Sequence, residues 1–456
     1  MKNPSSPSWC IFNAVIINER TRIHGCILIK DGLITDITEG APPAAAWLRE
    51  NGYTSLDADG AYLMPGIIDD QVHFRDPGLT HKGDMLSESR AAVAGGITSF
   101  MDMPNTIPQT TSCDLLNEKL AYAANHAMAN YAFYLGATND NIGEIRRADP
   151  SRTCGIKVFM GASTGNMLVD QPETLNAIFR ESPLLIAIHS EYEPIIRQHL
   201  DKVRQQYGDN IPHHLHPLIR NSAACLKSTQ IALELARRFN SRLHILHLST
   251  ADECALLDNA PPDKNKRITA EVCVHHLWFS DEDYPALGAR IKWNPAIKSA
   301  DDRESLRKAL LDGRIDVVAT DHAPHTQEEK SKPYLQCPSG GPLVQHALPM
   351  MMELCQQGIL SPEIVAEKMC HHMATCFNIE KRGFLKKNYY ADVIIVKPDD
   401  PWLVQKENLL YKCAWSPLEG QTFSHRVTHT FINGELVFCN GEFNESYRGL
   451  PLTFSR

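Results

Sequence analysis

MPGIIDDQVHFRDPG, from Met64 to Gly78, opens as an apolar strand at Ile67 and Ile68 and closes in polar, loop-forming residues. Gln71, His73 and Arg75 alternate along it, so on a strand their side chains share one face. A strand whose C-terminal end presents Gln, His and Arg together suits the mouth of a parallel barrel, where a metal and a substrate can be gripped at once. Taken alone, the same residues equally suit a polar strand end with a satisfied histidine, because one histidine is weak evidence for a metal.

The pattern that follows repeats as strand, loop, helix. Eight strand-like segments, at 67–73, 97–103, 130–137, 154–160, 184–189, 242–248, 267–276 and 314–321, alternate with helical stretches such as CDLLNEKLAYAANHAMA (113–129) and STQIALELARRFN (228–240). Several of these strands are near-continuous apolar runs, as parallel strands covered on both faces should be. This spacing predicts an α/β fold, a (β/α)8 TIM barrel over residues 64–380. A doubly wound open sheet is the alternative, disfavoured because the reactive residues end many different strands.

Both flanks are β-rich. WCIFNAVIIN (9–18), HGCILIKDG (24–32) and LITDITEG (33–40) on one side, GFLKKNYYADVIIVKPD (383–399) and HRVTHTFINGELVF (425–438) on the other, carry hairpin signals at Asp31-Gly32 and Asn433-Gly434. The economical expectation is that residues 1–63 and 381–456 pair into one small β-sandwich beside the barrel. No internal repeat or low-complexity segment interrupts the chain.

The bulk numbers narrow the function classes. A net charge of −9 and a pI near 6.1 argue against a nucleic-acid partner and for a small-molecule protein. No run is long and apolar enough to span a membrane, and MKNPSSPSWC lacks a signal peptide's apolar core. Thirteen cysteines without a C-x-x-C pair read as reduced thiols, and so as a cytoplasmic protein.

Listing the polar residue at each strand end yields a constellation. Strand one gives Gln71, His73 and Arg75, and strand two leads into Asn105. Strand four carries Lys157, strands five and six end in His189 and His247, and strand eight in Asp321, with His322 and His325 after it. Imidazoles with a carboxylate suit zinc, with manganese or iron as alternatives. Lys157 in IKVFM and Asp321 after VVAT sit in apolar surroundings, where a bare charge costs several kcal/mol. A metal beside them resolves both. His275 and His276, at strand seven, read as supporting residues, and the Gly/Pro-rich loop 330–341 as a border of the substrate site.

PGIIDDQVHFRDPG, AAVAGGITSFMDMPNTIP, IKVFMGAS, the strand-end His189 and His247, EVCVHHL, KWNPAIK and VVATDHAPHT together resemble the amidohydrolase superfamily and, within it, the dihydroorotase family. The resemblance covers nearly the whole chain. It implies a zinc-dependent cyclic amide hydrolase that interconverts N-carbamoyl-L-aspartate and L-dihydroorotate in pyrimidine synthesis. It also implies one or two Zn2+ per subunit, held by His73, Lys157 (as the N6-carboxylated form), His189, His247 and Asp321. Asp321 would move the proton. Arg75, Asn105 and His325 would hold the substrate carboxylate and Asn294 its ring. A homodimer or higher homo-oligomer is the family habit, and aspartate transcarbamoylase a partner to consider. Two departures stand out. Gln71 occupies the first position of the usual His-x-His pair, so one metal position is weakened, and Lys298 stands where an arginine is common after the NP motif. A hydantoinase- or allantoinase-like cyclic amidase, and a non-catalytic dihydroorotase-like scaffold, are the competing readings.

Overall fold

The computed structural model describes residues 7–161, 166–263 and 265–456. Ala162 and Ser163, the end of the IKVFMGAS match, lie outside the described residues.

Eight parallel strands form the barrel: Ile67–Val72, Ile97–Asp102, Asn130–Phe133, Ile156–Phe159, Ile186–His189, Leu243–Ile245, Ile268–Cys273 and Val317–Ala319. Each pairs in parallel with the next, the third and fourth being joined through the short Leu135–Gly136 segment. A parallel bridge from Val72 to His322 closes the ring, with His73 N donating to His322 O at 2.7 Å. The strands are buried on both faces, as their apolar runs required. Side-chain caps set where the outer helices begin. Asp84 and Ser87 cap Met85–Ala94 reciprocally, Ser112 caps Cys113–His126, and Asn221 caps Ser222–Phe239, which ends at Asn240 in the left-handed region.

The β-rich ends do pair into one unit. Its hydrogen bonds run through a single mixed nine-stranded sheet, in which Tyr62–Pro65 from the N-terminal side lies antiparallel to Val393–Lys397 from the C-terminal side. Ile16, Ile27, Leu63, Val393, Ile395 and Phe431 fill its core. Both expected hairpins form, with positive φ at Asp31 and Gly32 (51° and 79°) and at Asn433 and Gly434 (52° and 78°). Tyr62–Pro65 runs into the first barrel strand through Gly66, where a Cβ would fall 2.2 Å from Thr98 Oγ1.

Two details depart from the sequence reading. The seventh strand stops at Cys273 and turns into a short helix, Val274–Trp278, which carries His275 and His276 out of the strand direction. The last residues leave the β unit and return to the barrel. Leu452 N donates to Tyr131 O at 2.8 Å, and Leu452 and Phe454 are buried against barrel residues.

Candidate active site

At the C-terminal ends of the barrel strands lies a cavity of about 330 Å³ lined by Gln71, His73, Arg75, Asn105, Lys157, His189, His247, Asn294, Asp321 and His325. All ten residues singled out from the sequence therefore meet in one place. Phe159, Trp293 and the Pro338–Gly340 loop segment complete the wall. Buried carboxylates pin the strand ends from below. Asp69 accepts from Gln71 N and Thr320 N, each at 3.2 Å, and Asp102 accepts from Phe74 N at 2.8 Å. Arg75, His247 and Asp321 all hold positive φ, at 68°, 41° and 45°. Three non-glycine residues in that region at one cavity mark backbone held in place by its surroundings.

The imidazoles are oriented as ligands need to be. His73 Nδ1 donates to Asn105 Oδ1 at 2.7 Å, which leaves the Nε2 lone pair beside Asp321 Oδ1, 3.3 Å away. His189 Nε2 bonds Glu191 Oε2 at 2.7 Å, so Nδ1 carries the lone pair. That Nδ1 faces His247 Nε2 at 3.0 Å, near the ~3.3 Å span of two nitrogens on one tetrahedral zinc. Burial lowers the pKa of His189 and takes that of His247 well below its usual value, so both stay neutral. For Glu191, burial pushes upward, but Arg220 and His189 outweigh it and hold the carboxyl well below the usual carboxylate range. Glu191 and Arg220 escaped the sequence reading. Glu191 sits two residues past His189, the expected reach of a carboxylate that orients a ligating histidine.

Lys157 is 1 % exposed, its ammonium 4.7 Å from the centroid of the Phe159 ring, and burial lowers its pKa to about 8. Among the described residues no carboxylate lies within ion-pair distance of it. These donors, three imidazoles with cavity-facing nitrogens, a carboxylate and an easily deprotonated lysine, fit a divalent metal. Gln71 fits less directly. Its Nε2 donates to Asp321 Oδ1 at 3.2 Å and its oxygen faces Cys273 Sγ at 3.8 Å, so the amide steadies Asp321.

The other end of the cavity is cationic. Arg75 is buried, donating through Nε to Pro324 O at 3.0 Å, and Nη2 lies 3.1 Å from His325 Nε2. Asp76 and Asp84, the acidic residues near Arg75 in sequence, are engaged elsewhere. Asp76 accepts from Met85 N and Tyr122 Oη, and Asp84 pairs with Lys412. Asn294 Oδ1 is buried without a hydrogen-bond partner beside the cavity, an acceptor awaiting an N–H. Lys330 donates to Pro338 O and Gly340 O, at 3.0 and 2.8 Å, and so holds the loop that borders the cavity.

Other candidates are structural. His322 Nδ1 accepts from Leu343 N and Nε2 bonds Glu88, so it ties barrel to loop. His275 stacks on Trp293 at 4.6 Å, and His276 Nε2 bonds Pro295 O. Lys298 donates to Ser249 Oγ and Ala296 O, away from the cavity. Inside the barrel, Asp70, His244 and Glu271 bring ligand atoms within 4.8 Å of one another. The cluster balances its own charge. Asp70 Oδ2, 3.1 Å from His244 Nε2, leads in pushing the His244 pKa up to about 9 against the opposing burial, and burial raises that of Glu271.

A family profile described as "Amidohydrolase family" matches residues 62–437. The chain belongs to the amidohydrolase family. Among curated amidohydrolase relatives, a dihydroorotase of Halobacterium salinarum is 34 % identical over 86 % of this chain and 91 % of that protein. An allantoinase of Streptomyces avermitilis is 31 % identical over 94 % and 95 %. Of solved structures, the L-hydantoinase of Arthrobacter aurescens superposes with a TM-score of 0.87 at 26 % identity, covering 95 % of this chain and 97 % of that one. The barrel with its attached β-rich unit is thus the family architecture.

Proposed function

We propose that the protein is a dihydroorotase, opening and closing the ring of L-dihydroorotate. Hydrolysis of a cyclic amide is the coarser reading, common to the names of the dihydroorotase, allantoinase and hydantoinase relatives. The finer one is carried by Arg75, a buried cation at the cavity with no carboxylate within ion-pair distance among the described residues. A substrate carboxylate is the charge and shape complement of that guanidinium.

Zinc would be held by His73, His189, His247 and Asp321, with Lys157 contributing as a carbamate that turns a buried cation into an anionic oxygen pair. Bound there, a divalent metal supplies Lewis acidity and a source of hydroxide at neutral pH. The chain's own groups do the rest. Arg75 and His325 grip the carboxylate and fix the ring's orientation. Asn294 Oδ1 accepts a ring N–H. Asp321, steadied by Gln71 Nε2, takes a proton on its carboxylate and returns it to the departing ring nitrogen. Trp293 and Phe159 wall the ring from bulk water.

The test is hydrolysis of dihydroorotate by zinc-supplemented protein, with dihydrouracil, which lacks the carboxylate, alongside. Turnover of dihydroorotate alone is expected. Turnover of dihydrouracil, hydantoin or allantoin in its place would overturn the reading, and the absence of both turnover and retained zinc would favour a silent scaffold.

A further inference from the structure

Lys82 is half-buried beside the cavity, outside its lining, and its Nζ lies 3.1 Å from His325 Nδ1 and 2.9 Å from Glu329 Oε1. His325 is touched on both nitrogens. Nδ1 meets Lys82 and, at 3.6 Å, Glu329 Oε2, and Nε2 meets Arg75 Nη2 and Ser339 O, each at 3.1 Å. Burial and the neighbouring cations keep the ring neutral, so it has one N–H and one lone pair. Lys82 and Arg75 are both pure donors competing for the one lone pair. Only Nε2 has an acceptor within hydrogen-bond distance, Ser339 O at 3.1 Å against Glu329 Oε2 at 3.6 Å from Nδ1, so Lys82 takes the lone pair at Nδ1 and the hydrogen sits on Nε2. There Ser339 O can accept it and Arg75 cannot, since a guanidinium has no acceptor.

We propose that Lys82 is a positioning residue that holds His325 in the Nε2–H tautomer. The inference rests on the reading above that the cavity binds a carboxylate. In this tautomer Arg75 Nη2 and His325 Nε2 are two donors 3.1 Å apart, the imidazole hydrogen resting on Ser339 O and the guanidinium one finding no acceptor on the ring. An incoming carboxylate oxygen accepts from Arg75 Nη2 and draws the Nε2 hydrogen from the weaker acceptor Ser339 O, and the donor-to-donor contact becomes a two-pronged anion grip. Glu329 is the competitor. It is fixed by the Thr326 cap, whose N donates to Glu329 Oε2 at 3.0 Å, and it could accept a hydrogen from Nδ1. Without the ammonium, Glu329 draws the hydrogen to Nδ1. Nε2 then becomes an acceptor that takes an Arg75 N–H and turns a lone pair toward the substrate anion. Lys82 thus selects between a grip that is open to a carboxylate and one that is closed by Arg75.

The tautomer is read directly by two-bond 15N–1H correlation on histidine-labelled zinc-loaded protein, with His325 assigned through H325Q. The wild-type pattern should show a protonated Nε2 and a bare Nδ1. The reverse pattern, or a doubly protonated ring, overturns the proposal without any variant. Lys82→Met should reverse the pattern and raise KM for dihydroorotate about tenfold, with kcat little changed, as expected for losing one charge-assisted bond in ground and transition state alike. Lys82→Arg, still a pure donor, should keep both the pattern and KM. An unchanged tautomer in K82M, or a fall in kcat with KM unmoved, overturns it. If wild-type protein does not turn over dihydroorotate, the functional reading fails, and the correlation spectrum still decides the tautomer.

Discussion

Asp321 is asked to take a proton and give it back, and its surroundings fix its carboxyl group in place. Its oxygen meets Gln71 and His73, and Trp293 Nε1 donates to its backbone carbonyl at 3.4 Å. Asp321→Asn keeps the shape and removes the proton acceptor, so kcat should fall by roughly a hundredfold to ten-thousandfold while the fold survives, read by steady-state kinetics beside a melting curve. Arg75→Ala acts differently. It removes a charge-assisted grip made before and during reaction, so KM for dihydroorotate should rise roughly ten- to a hundredfold with a smaller change in kcat. Glu191 works through His189. Glu191→Gln can still accept a hydrogen bond but loses the charge that polarises the imidazole and balances Arg220, so zinc affinity should drop about ten- to a hundredfold. Metal content after equilibrium dialysis checks this without an activity assay, and undiminished retention would count against the role given to Glu191.

At the scale of elements, the site was legible because a parallel barrel places its chemistry at strand ends, and six of the eight barrel strands carry or lead into a polar cavity residue beside an apolar run. Gln71, His73, Lys157, His189, His247 and Asp321 could be read that way, and all line the cavity. What could not be read are partners far apart in sequence. Arg220 reaches Glu191 from the segment before a helix, and Lys82 and Glu329 meet across the barrel mouth. The sequence pattern carries the seventh strand through His276 because nothing local marks Cys273 as its last residue, while the supporting role read for His275 and His276 stands. Past the turn, His275 is buried against Trp293. The C-terminal tail is a similar case. Short and weakly patterned, it covers barrel residues with Leu452 and Phe454, 1 % and 3 % exposed. Phe454→Ala should cost about 3–5 kcal/mol, seen as a lower urea midpoint, with the catalytic constants intact because the cavity is at other strand ends.

For the whole molecule, the sheet built from both chain ends locks the barrel's entry strand to residues more than three hundred positions away, and the helices between are packed with neutral, buried histidines. His346 is the clearest. Its Nδ1 meets Tyr411 Oη at 2.6 Å, its Nε2 has no partner, and burial lowers its pKa to about 3. Between the unfolded value near 6.5 and the folded value near 3, the unfolded chain binds the proton and the folded one does not. The contribution of His346 is therefore full above pH 6.5 and is lost progressively as pH falls toward 3, at about 1.4 kcal/mol per pH unit. His244 has the opposite sign. Its folded value near 9 gives stability that is full below 6.5 and lost as pH rises through 9, so the two act in separate windows. His346→Gln isolates the acid window. The variant should melt below the wild type at pH 7, through imperfect replacement of the Tyr411 contact. Because it takes up no proton on unfolding, the gap should narrow and then reverse as pH is lowered from 6.5 to 4. A melting-temperature difference that stays constant across that range would mean that His346 is protonated in the folded state, and that its burial does not carry the acid sensitivity assigned to it.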